Sequence, residues 1–439
     1  MRILFIGGTG RLSKDAARYA LETGNEVFLL TRGSFTRQRY VESGYRMLYA
    51  DIRNKESCLD ALREKHFDVV IDFLSYNECD LKLTLEILEN KYSHYIFISS
   101  ATVYNLKKDE IISEDSTEVG NDKWQYAYSK YLCERYVEDY FVNQKKGYYT
   151  IVRPYVTYGN TRVPYPLVPR NSTKEWSLVQ RIIEGKAVPV LDEEPVYTSI
   201  LHTKDFAVGL IGLCMNPAAY EQSVHIANET VVTWETVLDV IGEVLNVPVI
   251  KKRISKDKVY QYMPEYKPVL EGDKARNMRF NNNKIIKMVP EYKISVNLEN
   301  GIRDMVEYYT RNEDLQLIDE NWMWCIDQMC TERNLTESGI VIYGAGNYGK
   351  WMYRFLNCIG LNVQCFCQTD KGSTDMLYET PVITREELMQ LENVKAVFIA
   401  IADKEIAEEI RNILKNTLIE KVSVFVVNEF VAQNKDILN

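Results

Sequence analysis

Apolar residues gather in short unbroken runs along the first third of the chain: ILFI (3–6), EVFLL (26–30), RMLYA (46–50), DVVIDF (68–73), YIFIS (95–99) and YTIVRP (149–154). Such runs suit strands buried on both faces. Residues 13–23, 56–65, 79–90 and 126–143 lie between them and read as helices. Strand and helix in alternation predict βαβ units, hence an α/β fold with a Rossmann-type, doubly wound parallel sheet and helices on both faces.

After residue 154 the alternation breaks, and VPYPLVPRN (163–171) brings in prolines, as expected of an inserted and C-terminal substrate lobe. From about residue 313 the pattern changes again. Leu315, Ile318, Trp322, Cys325 and Met329 stand at helical spacing, predicting a connecting helix. A fresh strand and glycine turn follow in GIVIYGAGNYGKWMYRFL (339–356), then VQCFC (363–367), VKAVFIAIAD (394–403) and VSVFVV (422–427). The expected domains are 1–312, with a dinucleotide-binding core over about 1–155 and a lobe mostly over 156–312, a linker helix over 313–337, and a second small Rossmann-like α/β domain over 338–433.

Composition narrows the function. A net charge of -9 over 439 residues argues against a general nucleic-acid binder, which needs a basic surface. No apolar stretch approaches the roughly 20 residues that cross a bilayer. MRILFIGGTG reads as a core strand entering a turn rather than a signal peptide, so a cytoplasmic protein is expected. The nine cysteines include no CxxC pair, which favours reduced thiols. His66, His94, His202 and His225 lack metal-ligand spacing, and no metal is expected.

GGTGRLS follows a strand and opens a helix. Gly7 and Gly10 permit backbone angles that a side chain obstructs and let a dinucleotide pyrophosphate approach the helix N-terminus. Ser13 stands at the third glycine position, which serves close helix–strand packing. At the end of the second strand the chain offers Thr31 and Arg32 where an NAD site wants a carboxylate. An arginine pairs with a 2′-phosphate, favouring NADP(H) over NAD(H); the alternative is a solvated surface arginine. Asp51 is placed to meet the adenine. Tyr126 and Lys130, four apart, share one helix face. A lysine near a phenol draws its pKa down, so Tyr126 would take a hydroxyl proton as hydride leaves the same carbon, with Ser100 on that oxygen. Tyr128 is a rival.

GGTGRLS, ADI (50–52), ISSATVY (98–104), YAYSK (126–130), RPYVTYG (153–159) and LHTKDFA (201–207) together resemble, in order, the landmarks of the extended short-chain dehydrogenase/reductases, the NAD(P)-dependent epimerase/dehydratase family, over residues 1 to about 312. The resemblance implies Ser100, Tyr126 and Lys130 as the catalytic set and a nucleotide sugar as substrate. It implies cofactor contacts at Gly7, Thr9, Gly10, Arg11, Leu12, Thr31, Arg32, Asp51, Ile52, Leu74, Tyr126, Lys130 and Pro154. It also implies a homodimer through the helix carrying Tyr126, whose Tyr136, Val137, Tyr140 and Phe141 are apolar enough for that or for core packing.

In the family's 4,6-dehydratases an Asp-Glu pair follows the catalytic Ser/Thr, and the decarboxylating members keep an acid at the second position. Ala101 and Thr102 stand here instead, and SATVY resembles UDP-galactose 4-epimerase. Epimerisation through a keto intermediate is therefore expected first. NADPH-dependent reduction or dehydrogenation, or a non-catalytic NADP(H)-binding regulator, are the alternatives. The family's asparagine near Val156 and arginine near Thr198 are missing; Arg162, Arg170 or Arg181 would supply the charge, unless they are surface residues. His202 reads as structural, before a helix capped by Thr203 or Asp205.

Gly344, Gly346 and Gly349 form a full GxGxxG after a strand, with Asp370 the nearest acid beyond the next strand. This part resembles small Rossmann-like domains attached to bacterial surface-polysaccharide enzymes and sugar acyltransferases. It implies a nucleotide-binding role or a structural one.

Overall fold

The structure, a computed structural model, describes residues 1–33, 43–107, 110–144, 146–193, 195–330, 339–370, 375–417 and 422–434. The chain divides into two compact units, Met1–Gly185 with Glu194–Val249 and Pro268–Leu317, and Lys186–Glu193 with Ile250–Lys267 and Ile318–Asn439.

The first unit is built on a seven-stranded, all-parallel sheet: β1 (Arg2–Ile6), β2 (Glu26–Thr31), β3 (Arg46–Tyr49), β4 (Phe67–Asp72), β5 (Tyr92–Ile98), β6 (Tyr148–Pro154) and β7 (Gln222–Ile226), in the order β7-β6-β5-β4-β1-β2-β3. Six of these strands are the six apolar runs. The seventh, QSVHI, comes from the lobe and pairs Gln222 with Thr150 through Ile226 with Pro154. Three polar residues in five hide it in the sequence.

Because side chains alternate along a strand, each buried run feeds two cores. Ile3, Phe5, Val27, Leu29, Val69 and Ile71 pack on one side with Ala16, Ala17 and Ala20 of α1 (Ser13–Glu22). Leu4, Ile6, Phe28, Leu30 and Val70 pack on the other with Leu81 and Leu85 of α2 (Glu78–Ile87) and with Val137 and Phe141 of α3 (Gln125–Gln144). Val137 and Phe141 thus serve the core, with Tyr136 and Tyr140 partly buried against it. The strand order reverses between β1 and β4, and an α/β sheet binds ligands outside the carboxyl ends of the strands at such a point.

The second unit carries a six-stranded sheet of β8 (Ile340–Tyr343), β9 (Val363–Gln368), β10 (Met376–Leu377), β11 (Thr380–Thr384), β12 (Ala396–Ile399) and β13 (Ser423–Val426), ordered β10-β11-β9-β8-β12-β13. Only β10 runs antiparallel. Val188–Leu191 and Lys251–Ile254, from the stretch expected to be lobe, pair in parallel in this unit. The connecting helix starts later than its spacing predicts. Glu313–Leu315 is a single 3-10 turn and the helix spans Glu320–Cys330, with Trp324 edge-on to Phe398 at 4.8 Å; residues 331–337 lie outside the described part. Among the described residues no helix is long and apolar enough to cross a membrane.

Candidate active site

Gly7 ends β1 with φ at 81°, a left-handed conformation, and a Cβ there would come within 2.7 Å of Leu74. Ser13 does more than fill the third glycine position. Its hydroxyl donates to the Gly7 carbonyl at 2.5 Å and accepts from the Gly10 amide at 3.0 Å, closing the loop on itself.

Across the switch point, the buried Asp72 at the end of β4 accepts from the Leu74 amide (2.8 Å), the Ser75 amide (3.1 Å), the Ser75 hydroxyl (2.5 Å) and Tyr95 Oη (2.7 Å). The turn it shapes presents the Ser75 carbonyl, and Lys130 Nζ donates there at 2.7 Å and to the Ile98 carbonyl at 2.9 Å. Burial lowers the Lys130 ammonium to about 8, with Asp72 opposing. Lys130 is thus anchored on two backbone carbonyls.

Ser100 follows β5 and caps a short turn over Ala101–Val103, accepting from the Thr102 amide at 3.3 Å and the Thr102 hydroxyl at 2.9 Å. It also hydrogen-bonds the Tyr126 phenol. The sequence predicts a phenol drawn down by Lys130; the structure has the reverse. Burial pushes Tyr126 up to about 12 and Tyr76 adds to the rise, while Ser100 and Arg162 oppose it. Lys130, whose Nζ is turned to the Ser75 and Ile98 carbonyls, is not among these influences. The rival Tyr128 is exposed, beside Tyr131.

These groups open on one cavity of about 560 Å³, lined by Gly7, Gly10, Arg11, Leu12, Leu74, Ser100, Tyr126, Lys130 and Pro154 among others. A second cavity of about 330 Å³ shares Gly7, Gly10, Leu74 and Tyr76 with it and is lined further by Thr9, Thr31, Arg32, Asp51 and Ile52. Every residue expected to touch cofactor or substrate oxygen lines one cavity or the other. Both volumes are of ligand-site size. The larger cavity is lined by Arg11, Lys130, Arg162, Arg170 and Lys274 and, among the described residues, by no carboxylate. That donor set fits a dinucleotide diphosphate: Gly7, Gly10 and Arg11 would hold the pyrophosphate, Arg32 and Asp51 the adenosine, Lys130 the nicotinamide ribose.

Arg162 and Arg170 line the larger cavity, whereas Arg181 is buried at 1% exposure away from it. Thr198, where the family places an arginine, is fully buried with its hydroxyl 3.4 Å from Tyr155 Oη, leaving no room for one. Neither Thr203 nor Asp205 caps the helix Thr203–Gly212. His202 Nδ1 accepts from the Lys204 amide at 3.1 Å, while Asp205 holds the Ser295 and Val296 amides at 3.1 Å each. The sequence reading missed Tyr155, Trp124, Tyr76, Arg53, Asp273 and Lys274. Tyr155 adjoins Pro154 in RPYVTYG and could have been found; EGDKARN, which supplies Asp273 and Lys274, carries no signal.

In the second unit, Gly344 has φ at 113° and Gly349 packs so closely that a Cβ would sit 1.8 Å from the Gly344 carbonyl oxygen. Both are required by the turn itself. Of the three motif glycines, Gly346 alone faces open space.

A family model described as "NAD dependent epimerase/dehydratase family" matches residues 3–227, just over half of the chain. The chloroplast stem-loop binding protein of 41 kDa b of Arabidopsis thaliana is 25% identical over 245 residues, 53% of this chain and 60% of that protein, so the match spans less than two thirds of the relative. Among solved structures, an epimerase of Methanothermobacter thermautotrophicus superposes with a TM-score of 0.59 at 16% identity, over 72% of this chain and 94% of that one. A UDP-glucose 4-epimerase of Bifidobacterium longum, solved with NAD+ and UDP, gives 0.58 at 17% identity, over 72% and 99%. At such identities the likeness is one of fold.

Proposed function

The chain belongs to the NAD dependent epimerase/dehydratase family, and from that premise we propose that it is a sugar-nucleotide epimerase that works through a ketone at the epimerised carbon. The observation that carries this reading is the meeting of Ser100, Tyr126 and the glycine loop at one cavity. A bound nicotinamide dinucleotide supplies hydride exchange with a substrate carbon. The residues do the rest. Ser100 donates a hydrogen bond to the substrate oxygen, Tyr126 Oη would take and return its proton once the cationic nicotinamide of a bound dinucleotide offsets the burial that holds the phenol up, and Lys130 fixes the cavity floor and adds positive charge below.

Epimerisation is favoured over dehydration because elimination needs an acid and a base beside the sugar, and none of the described residues lining this cavity is a carboxylate. A place in surface-polysaccharide synthesis, in the cytoplasm, as a homodimer, agrees with this chemistry. The second reading is an NADPH-dependent reductase, favoured by Arg32 and Arg53 lining the adenosine cavity. In the second unit, the open approach at Gly346 supports a nucleotide-binding role.

The test is denaturing release of bound dinucleotide, identified by mass, together with incubation of the protein with UDP-hexoses and separation of the epimers. Retained NAD and conversion abolished in Tyr126→Phe would support the epimerase. Conversion indifferent to that substitution would sink it, and an empty protein that takes up NADPH over NADH would favour the reductase.

A further inference from the structure

Arg11 belongs to the glycine loop, yet its side chain is tied to the lobe. Its Nη1 donates to Glu175 Oε1 at 2.6 Å. Glu175 is 5% exposed and stands immediately before the helix Trp176–Ile183. Its other oxygen, Oε2, accepts from the Val163 amide at 2.7 Å. One carboxylate thus closes the segment 163–175 at its base and joins that base to the loop that would hold the pyrophosphate.

The segment matters for what it carries. Arg162, one residue before the closure, and Arg170, within it, both line the larger cavity. Val163 and Leu167 are buried, and both ends of the segment rest on one tyrosine. Tyr309 Oη donates to the Thr161 carbonyl at 3.2 Å, and its ring packs on Trp176 at 4.8 Å between centroids. Apolar contact therefore seats the segment, and Glu175 connects it to the dinucleotide loop.

A carboxylate out of water has to be matched by charge and hydrogen bonds. Burial raises the Glu175 pKa, and Arg11 and Arg162 oppose the rise, with Arg11 in direct contact. The Arg11 side chain keeps 30% exposure and lines the larger cavity while bonded to Glu175. A guanidinium has five N–H donors in one plane, so it can hold a carboxylate by one edge and a phosphate oxygen by another.

We propose that Glu175 is a positioning residue that carries dinucleotide occupancy into the lobe. Arg11, engaged by a pyrophosphate on one edge, stiffens the Arg11–Glu175–Val163 joint on the other, and with it the seat of Arg162 and Arg170. Binding that stiffens a segment spares the next ligand the cost of ordering it. The dinucleotide thereby prepares the lobe for its substrate. This rests on the dinucleotide site alone and holds for an epimerase and a reductase alike.

The experiment is hydrogen exchange read by mass spectrometry on the full chain, freed of dinucleotide over charcoal and then saturated with NAD+ or NADPH. Peptides over the glycine loop report occupancy, and peptides over 160–175 report the lobe segment. In the native protein both are expected to slow on loading, the 160–175 peptides by about tenfold. In Glu175→Gln, which keeps the shape and removes the charge, loading is expected to protect the glycine loop while 160–175 exchanges alike in both states. Arg11→Gln, at a partly exposed position, is expected to do the same and serves if Glu175→Gln does not fold. A carboxylate that merely braces the fold would raise exchange in both states and leave the difference between them intact, which would overturn the proposal. A native 160–175 segment indifferent to loading while the glycine loop is protected would overturn it too, as would failure of both dinucleotides to protect that loop.

Discussion

The Thr102 hydroxyl donates to Ser100 Oγ at 2.9 Å, and the Thr102 amide reaches the same oxygen at 3.3 Å. With its acceptor positions occupied from one side, the Ser100 proton is directed to the other, where Tyr126 lies. The threonine standing at a family acid position therefore aims the serine. Ser100→Ala is expected to lower turnover by ~10²–10³ with dinucleotide affinity unchanged, and Thr102→Val by about tenfold. Steady-state kinetics beside a dinucleotide titration would check both. Undiminished turnover in Ser100→Ala would remove Ser100 from the reaction.

Burial holds the Tyr126 phenol up to about 12. At pH 10, where an ordinary phenol is half ionised, Tyr126 should contribute no tyrosinate absorbance. The difference titration between the native protein and Tyr126→Phe is expected to stay flat through that pH. Tyr128→Phe should leave turnover unchanged, since Tyr128 is exposed outside the cavity. A tyrosinate step near pH 7 lost in Tyr126→Phe would mean that Lys130 reaches the phenol after all.

Arg32 and Arg53 both line the smaller cavity, proposed to take the adenosine, with Asp51 Oδ1 accepting from the Arg53 amide at 3.0 Å. Arg32→Ala is expected to weaken NADPH by ~10- to 100-fold and NADH little, as loss of a charge-assisted phosphate contact would. Fluorescence titration with the two reduced dinucleotides reads the ratio directly. An unchanged ratio would make Arg32 a solvated surface residue.

Six of the seven strands in the first sheet were legible because buried parallel strands are written as unbroken apolar runs. The seventh was not: Gln222, Ser223 and His225 owe their places to pairing with a strand some seventy residues earlier. That the glycine loop, Asp51, Ser100, Tyr126 and Lys130 line adjoining cavities was legible for the same reason, since all sit at strand ends or on one helix. What local sequence does not carry is where a charged side chain is directed. Lys130 four residues from Tyr126 predicts a depressed phenol, but the Ser75 carbonyl that claims its ammonium is set by Asp72. Asp273 and Lys274 were invisible because a π-helical turn, not a motif, delivers them.

Arg153 of β6 donates to both carboxylate oxygens of Glu134 on α3, at 2.9 and 2.7 Å, with both side chains at or below 5% exposure. Removing one partner strands a buried charge. Glu134→Ala is expected to cost about 3–5 kcal/mol, while Glu134→Gln with Arg153→Met together should cost less than the sum of the singles. Urea unfolding of the native protein, Glu134→Gln, Arg153→Met and the double variant tests this, with Glu134→Ala measured beside them, and additive singles would mean the pair is not coupled.

His94, fully buried on β5, accepts the Met215 amide at Nδ1 (3.1 Å), so its proton sits on Nε2 and donates to Thr150 Oγ1 (2.9 Å), whose own proton goes to the Ala219 carbonyl (2.6 Å). The second proton has no place, and burial lowers the His94 pKa to about 4. In the unfolded chain it titrates near the ordinary 6.5. Between those values the unfolded state binds the extra proton and the native state does not, so stability falls as pH drops from 6.5 towards 4. The loss attributable to His94 reaches about 3 kcal/mol at the acid end of that window. Urea midpoints measured across it should decline more steeply for the native protein than for His94→Asn. Parallel slopes would show that His94 accepts its second proton in the folded state.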